Sequence, residues 1–114
     1  MPRVAPEGEG ENEQLRAPTV THELRKDGEW YFVTLDYFDY DRRQSLRRQT
    51  IILTFQRPNN GSVLEFGSLV YKGIKKSSDK KAFPEGSDEL RNLKARAEEA
   101  IATFETDTAR RSFP

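Results

Sequence analysis

Polar and apolar positions alternate from Thr19 onward, with Val20, His22 and Leu24 on one side and Thr19, Thr21, Glu23 and Arg25 on the other. A period of two is that of a strand buried on one face. Asp27-Gly28 follows, and this pair suits a two-residue hairpin loop because a type I′ turn needs positive φ at both central positions. With that loop Lys26 faces Glu29, and Leu24, His22 and Val20 face Tyr31, Val33 and Leu35. One face of the hairpin is then largely apolar. The other pairs Arg25 with Trp30, Glu23 with Phe32 and Thr21 with Thr34, and continues through Asp36 and Phe38.

The polar stretch Asp39 to Ser45 separates this hairpin from a third alternating run, Gln49 to Gln56. Pro58-Asn59-Asn60-Gly61 is again turn chemistry. A loop at Asn60-Gly61 sets Phe55 opposite Phe66 and Ile51 opposite Val70, giving a fourth strand from Ser62 to about Ile74. Gly67 inside that strand marks a bulge or a close approach by another backbone. After a lysine-rich loop, Ser87 is placed to cap a helix, with Asp88 and Glu89 in the first turn complementing the helix dipole. Leu90, Leu93, Ala97, Ala100, Ile101 and Phe104 form one apolar stripe at helical spacing. The fold class expected is α+β: a four-stranded antiparallel meander closed by one C-terminal amphipathic helix, ββββα. Residues 1–18, with three prolines and a run of alternating glutamate and glycine, read as a disordered acidic arm. Residues 19–105 form the single domain, and 106–114, where the periodicity fades, a flexible tail.

Composition narrows the function classes. The 114 residues are 34% hydrophobic and 33% charged, and no apolar run approaches the roughly 18 residues of a membrane span. Four glutamates and no apolar core in the first twenty residues argue against a secretory signal, so a soluble intracellular protein is expected. With no cysteine and one histidine, disulfides, thiolate metal sites and thiol nucleophiles are excluded. Neither a cofactor nor a metal is implied. The net charge of zero hides a segregation. Residues 1–41 carry 4 basic and 10 acidic side chains, net −6; residues 42–81 carry 10 and 2, net +8; residues 82–114 carry 5 and 7, net −2. The middle third has the charge of a polyanion-binding segment.

One helix covers one face of a sheet. The second face is expected to hold Trp30, Phe32, Phe38, Ile52, Leu69 and Tyr71, an apolar area that calls for a partner. Aromatic rings beside cations suit single-stranded nucleic acid, because bases stack on rings while cations follow the phosphates. The candidate contacts are Trp30, Phe32 and Tyr71 for stacking, with Arg42, Arg43, Arg47, Arg48, Lys72, Lys75 and Lys76 for the backbone. The alternating hairpin, the stretch Gly28-Glu29-Trp30-Tyr31-Phe32-Val33-Thr34-Leu35, the run Arg47-Arg48-Gln49-Thr50-Ile51-Ile52-Leu53 and the closing helix together resemble the repeat of PUR and whirly-type single-stranded nucleic-acid-binding proteins over residues 19–105. That resemblance implies binding of single-stranded DNA or RNA on the sheet, and dimerisation through repeated units. The alternative is a protein-interaction module, adaptor, inhibitor or assembly subunit, homodimeric or set against an acidic protein surface, through the same face.

Enzyme chemistry finds little support. Asp36, Asp39, Asp41 and Glu29 match no calcium-loop spacing, and Arg42 and Arg43 would repel a cation. His22 falls on the core face, while Ser45 and Ser68 lack a second histidine or an elbow motif to activate them. A binding module, not an enzyme, is the expectation.

Overall fold

A computed structural model describes residues 16–40, 43–59, 61 and 63–111. Strands β1 (Thr19–Arg25), β2 (Gly28–Tyr40), β3 (Leu46–Pro58) and β4 (Glu65–Lys72) are followed by a 3₁₀ turn, Ser77–Asp79, and helix α1, Asp88–Arg111. The strands form one antiparallel sheet in the order β1-β2-β3-β4, so the meander and its closing helix stand as expected. The first strand begins at Thr19. Of the arm read at residues 1–18, positions 1–15 lie outside the described residues, and 16–18 lead into β1 without regular structure.

The core follows from the alternation. Tyr31, Val33 and Leu35 of β2 and Ile51, Leu53 and Phe55 of β3 point to one side, each at most 2% exposed. The apolar stripe of α1 closes over them through Leu93, Ala97 and Ile101. Ser87 caps the helix as predicted, its Oγ accepting from the backbone N–H of Leu90 at 3.2 Å. On the β4 side Phe83 fills the gap from the connecting loop, edge-on to Tyr37 with ring centroids 5.0 Å apart and stacked on Tyr71. The buried Gln49 holds that loop in place: its Nε2 donates to the carbonyl of Asp79, and its Oε1 accepts from the backbone N–H of Lys81.

Three details depart from the sequence reading. First, the β1–β2 loop is Lys26-Asp27, not Asp27-Gly28, so Leu24, His22 and Val20 face Glu29, Tyr31 and Val33. Gly28 instead opens β2 at φ +135°, where a Cβ would lie 2.3 Å from the carbonyl oxygen of Arg57. The turn is also tied to the end of β3 and the residue after it, because Gln56 Nε2 donates to the Asp27 carbonyl and Asn59 Nδ2 to that of Lys26. A slip of two residues preserves the faces, so the apolar side stays apolar. His22 accordingly lies on the helix side, stacked on Tyr31 at 4.6 Å, with its side chain 29% exposed at the sheet edge.

Second, β3 and β4 do not keep one register. Phe55 faces Phe66 as expected, but Ile51 faces Tyr71 rather than Val70, because Gly67 is the extra residue of a bulge. Its close approach to the Thr54 carbonyl oxygen, 3.3 Å from where a Cβ would stand, is what glycine permits. Past the bulge every side chain is on the opposite face from the one expected: Leu69 and Tyr71 join the helix side, and Ser68, Val70 and Lys72 the open side. Third, α1 continues to Arg111, so most of the stretch read as a flexible tail at 106–114 is helical. Its periodicity fades at Thr106–Ala109 because these residues are exposed beyond the sheet, while no glycine or proline interrupts the helix before Pro114.

Candidate functional site

No described element packs over the second sheet face, whose residues come from all four strands. Along its β2 row stand Trp30, Phe32, Thr34, Asp36, Phe38 and Tyr40, with Gln56, Thr54, Ile52, Thr50, Arg48 and Leu46 opposite in β3. Thr19, Thr21, Glu23 and Arg25 continue the surface on β1, and Ser68, Val70 and Lys72 on β4. At about 3.3 Å of rise per residue, the row from Trp30 to Phe38 runs about 26 Å. Val70 is 48% exposed there, and Leu46 and Tyr40 are more than two-fifths exposed at the far end.

The rings at one end form a ladder. Trp30 and Phe32 lie nearly parallel, 16° apart with centroids separated by 6.4 Å. The Arg25 guanidinium sits 4.6 Å from the Trp30 centroid and 5.5 Å from that of Phe32. Glu23 orients it, accepting from Arg25 Nε at 3.0 Å and Nη2 at 2.8 Å. Trp30 is fixed at its edge, where Nε1 donates to Asp27 Oδ1 at 2.9 Å. The Arg25 guanidinium therefore lies against both rings, and a guanidinium plane is a surface on which bases stack as they do on rings.

Further along the row Asp36 is a buried carboxylate on a face otherwise open. Its side chain is 7% exposed; Oδ1 accepts from Thr50 Oγ1 at 3.2 Å and lies 3.8 Å from Arg48 Nε. Oδ2 is shut off from solvent and has no hydrogen-bond partner among the described residues.

The ten residues expected to bind fall on different surfaces. Trp30, Phe32, Arg48 and Lys72 share the open face. Tyr71 does not join them: the bulge at Gly67 turns it to the helix side, beside Phe83 and 5.6 Å from Lys80 Nζ, where burial raises its phenol above the ordinary range. Arg47 also points to the helix side, opposite Asp39, with its guanidinium 3.9 Å from that carboxylate, which Lys81 approaches at 3.3 Å. Arg43 lies in the β2–β3 connection and lines a cavity with Arg47, Lys80 and Lys81. Lys75 and Lys76 are exposed in the loop after β4, and Arg42 lies outside the described residues. Arg25, Asp36 and Thr50 were not among the ten, although alternation alone puts all three on the face of Trp30.

Another charged cluster lies on the helix side. Arg57 Nη1 bridges Glu105 Oε2 at 2.7 Å and Glu29 Oε1 at 3.1 Å, and the Tyr31 hydroxyl donates to Glu105 at 2.7 Å. Burial would raise the Glu105 carboxyl, but the hydrogen bonds from Arg57 and Tyr31 outweigh it and hold the group below the usual carboxylate range. Burial, followed by the hydrogen bonds to the Glu105 and Glu29 carboxylates, pushes the Tyr31 phenol well above its ordinary value, against a smaller lowering by Arg57. This cluster joins β2, β3 and α1, and it reads as structural.

Among the described residues, no group of three or more His, Asp or Glu side chains is arranged to hold a metal ion, and no helix is long and apolar enough to cross a membrane. No protein-family model, curated protein or solved structure matches this chain.

Proposed function

We propose that the chain binds single-stranded nucleic acid along the open sheet face. The observation that carries this reading is the juxtaposition on that face of the Trp30–Arg25–Phe32 ladder with Arg48 and Lys72. Rings and a guanidinium plane supply sequence-tolerant stacking, and the cations track the phosphates. The resemblance of the hairpin and helix to PUR and whirly-type repeats points the same way. Arg47, Lys80 and Lys81 lie around the sheet end and add positive potential without touching the same strand of nucleic acid.

The test is a titration of labelled twelve-residue oligonucleotides, single- and double-stranded, over a salt series. Trp30→Ala is expected to cost about 1–3 kcal/mol, the range for loss of one stacked base. Neutralising Arg48 and Lys72 is expected to flatten the salt slope by about 0.7 for each phosphate left without its cation. Arg47→Gln, which alters the opposite face, is expected to do so less. Dissociation constants weaker than about 0.1 mM for every oligonucleotide at physiological salt, the level of non-specific background, would refute the proposal.

A second reading is favoured by the exposed Tyr40, Leu46 and Val70, which are apolar rather than cationic. In that reading the face is covered by a protein, a second copy of this chain or an acidic partner, with Trp30 as an aromatic anchor. Sedimentation discriminates the two: a dimer that Trp30→Ala dissociates, without oligonucleotide affinity, supports the protein interface.

A further inference from the structure

The chemistry around Asp36 restricts what can enter the face at that point. A cavity of about 360 Å³ opens there, lined by Thr34, Asp36, Thr50, Arg48, Lys72 and Arg16, and its volume is within the range of small-ligand pockets. A carboxylate oxygen buried without a donor is an expensive arrangement, and the group that relieves it must bring N–H or O–H bonds. A phosphate does not, since it would set an anion against Asp36. A metal cation would meet Arg48, Lys72 and Arg16. The occupant that satisfies both signs of charge is neutral and rich in donors where it meets Asp36, and anionic where it meets the arginine and lysine. A nucleotide has that layout, with its base at the carboxylate and its phosphates at the cations.

Resting on the nucleic-acid reading above, we infer that this cavity is a guanine-selective subsite, in which the Asp36 carboxylate accepts from the N1–H and N2–H groups of one guanine. Guanine alone among the common bases presents two adjacent donors on its Watson–Crick edge, matching the two oxygens of a carboxylate. Uracil and thymine offer one N–H between two carbonyl oxygens, which the carboxylate repels. Adenine and cytosine offer an amino group beside a ring nitrogen that accepts, so one carboxylate oxygen stays unpaired. Oδ1 keeps a lone pair beyond the one that takes the Thr50 hydroxyl. Arg48 is the movable wall: its side chain is 40% exposed, and its approach to Asp36 is longer than a hydrogen bond. Swung outward it uncovers the carboxylate and meets the phosphate of the bound nucleotide.

The test uses the full chain and four labelled twelve-residue strands at physiological salt: all thymidine, and thymidine with a single central guanine, adenine or hypoxanthine. Hypoxanthine keeps N1–H and lacks the N2 amino group, so it removes one of the two donors without touching the protein. The guanine strand is expected to bind at least about fivefold more tightly than the thymidine strand, the low end for a bidentate base contact, with most of that gain absent for adenine and hypoxanthine. In Asp36→Asn, with an unchanged melting curve, the guanine-to-thymidine affinity ratio is expected to fall to about one. Equal affinity for the guanine and thymidine strands, or hypoxanthine binding as well as guanine, overturns the guanine subsite and leaves the nucleic-acid reading standing. Failure of every strand to bind above background overturns both.

Discussion

Gly28→Ala is the sharpest test of how the first hairpin positions the stacking ladder. Gly28 opens β2 between Arg25 of β1 and Pro58 of β3, at φ +135°. An added methyl carbon would stand 2.3 Å from the Arg57 carbonyl oxygen and 2.9 Å from the Pro58 Cα, both backbone atoms that cannot turn aside as a side chain does. Holding a non-glycine residue at that φ costs about 1–3 kcal/mol, and relieving an overpacked contact by shifting backbone costs about 1–3 kcal/mol more. The expected loss is therefore about 2–6 kcal/mol, against a total stability of about 5–15 kcal/mol for a domain. At about 4–8 °C per kcal/mol for a domain of this size, the melting temperature should fall by at least about 8 °C. Gly86→Ala is the control, because Gly86 also has positive φ, +84°, but nothing lies within 4 Å of its added carbon. Its cost should be limited to about 1–3 kcal/mol from the backbone conformation alone. Thermal melts of the two variants and the parent, followed by far-ultraviolet circular dichroism, give the comparison. If Gly28→Ala melts within about 2 °C of the parent, well inside the shift expected for 1 kcal/mol, or loses no more than Gly86→Ala, the close packing of Gly28 on β3 is wrong. The register that sets Trp30 opposite Glu23 would then be wrong with it.

Ile101→Asp places a charge at a core position that is 1% exposed and should abolish the cooperative melt, at a cost of several kcal/mol; a parent-like melt would remove the helix from the sheet. Glu105→Gln tests the cluster on the helix side by pH. The folded carboxyl is held below its ordinary range, so its contribution is complete above the unfolded value of about 4.3 and is lost as pH falls through the folded value. Because the side chain is 37% exposed, that contribution is at most about 1 kcal/mol. The stability of the Gln variant should accordingly fall less than the parent's between about pH 5 and pH 3, and parallel curves would contradict the assignment. Tyr71→Ala should leave oligonucleotide affinity unchanged while lowering stability, since Tyr71 packs on Phe83 behind the sheet; a loss of affinity comparable to that of Trp30→Ala would return Tyr71 to the binding surface.

Much of the fold is legible in the sequence because period-two and period-3.6 patterns do not overlap in this chain. Val33, Leu35, Ile51, Leu53 and Phe55 alternate cleanly, and Leu90, Leu93, Ala97 and Ile101 repeat at helical spacing, so strand number, order and the covered face follow directly. The first hairpin loop falls one residue away from its sequence signal for a reason that local sequence cannot hold. Asp27-Gly28 is a sound turn pair in isolation, but the position of Gly28 is decided by β3, through the Arg57 carbonyl and the side chains of Gln56 and Asn59 some thirty residues on. Asp36 is legible as an open-face residue and illegible as a buried one. Its burial depends on Thr50, Arg48 and Lys72 arriving from two other strands.

The bulge at Gly67 governs the composition of the open face more than any aromatic residue does. Without it, Leu69 and Tyr71 would lie on the open face and Val70 and Lys72 would turn inward, giving a surface richer in rings and poorer in cations. With it, Phe66, Leu69 and Tyr71 all serve the helix side, and the open edge at β4 presents Ser68, Val70 and Lys72 instead. Lys72 thereby comes level with Thr50 and Asp36 in a single row across three strands, which is what walls the cavity with both signs of charge. The face thus carries a stacking end at Trp30 and Phe32 and, further along β2, a polar stretch at Asp36 that the bulge completes with Lys72. On the proposed reading a single strand lying along β2 would pass from the first to the second, so groups that hold any base and groups that read one base would occupy different positions on the same strand. Affinity and selectivity are then separable: Trp30→Ala should weaken binding of all sequences by a similar factor, and only substitutions around Asp36 should change their order.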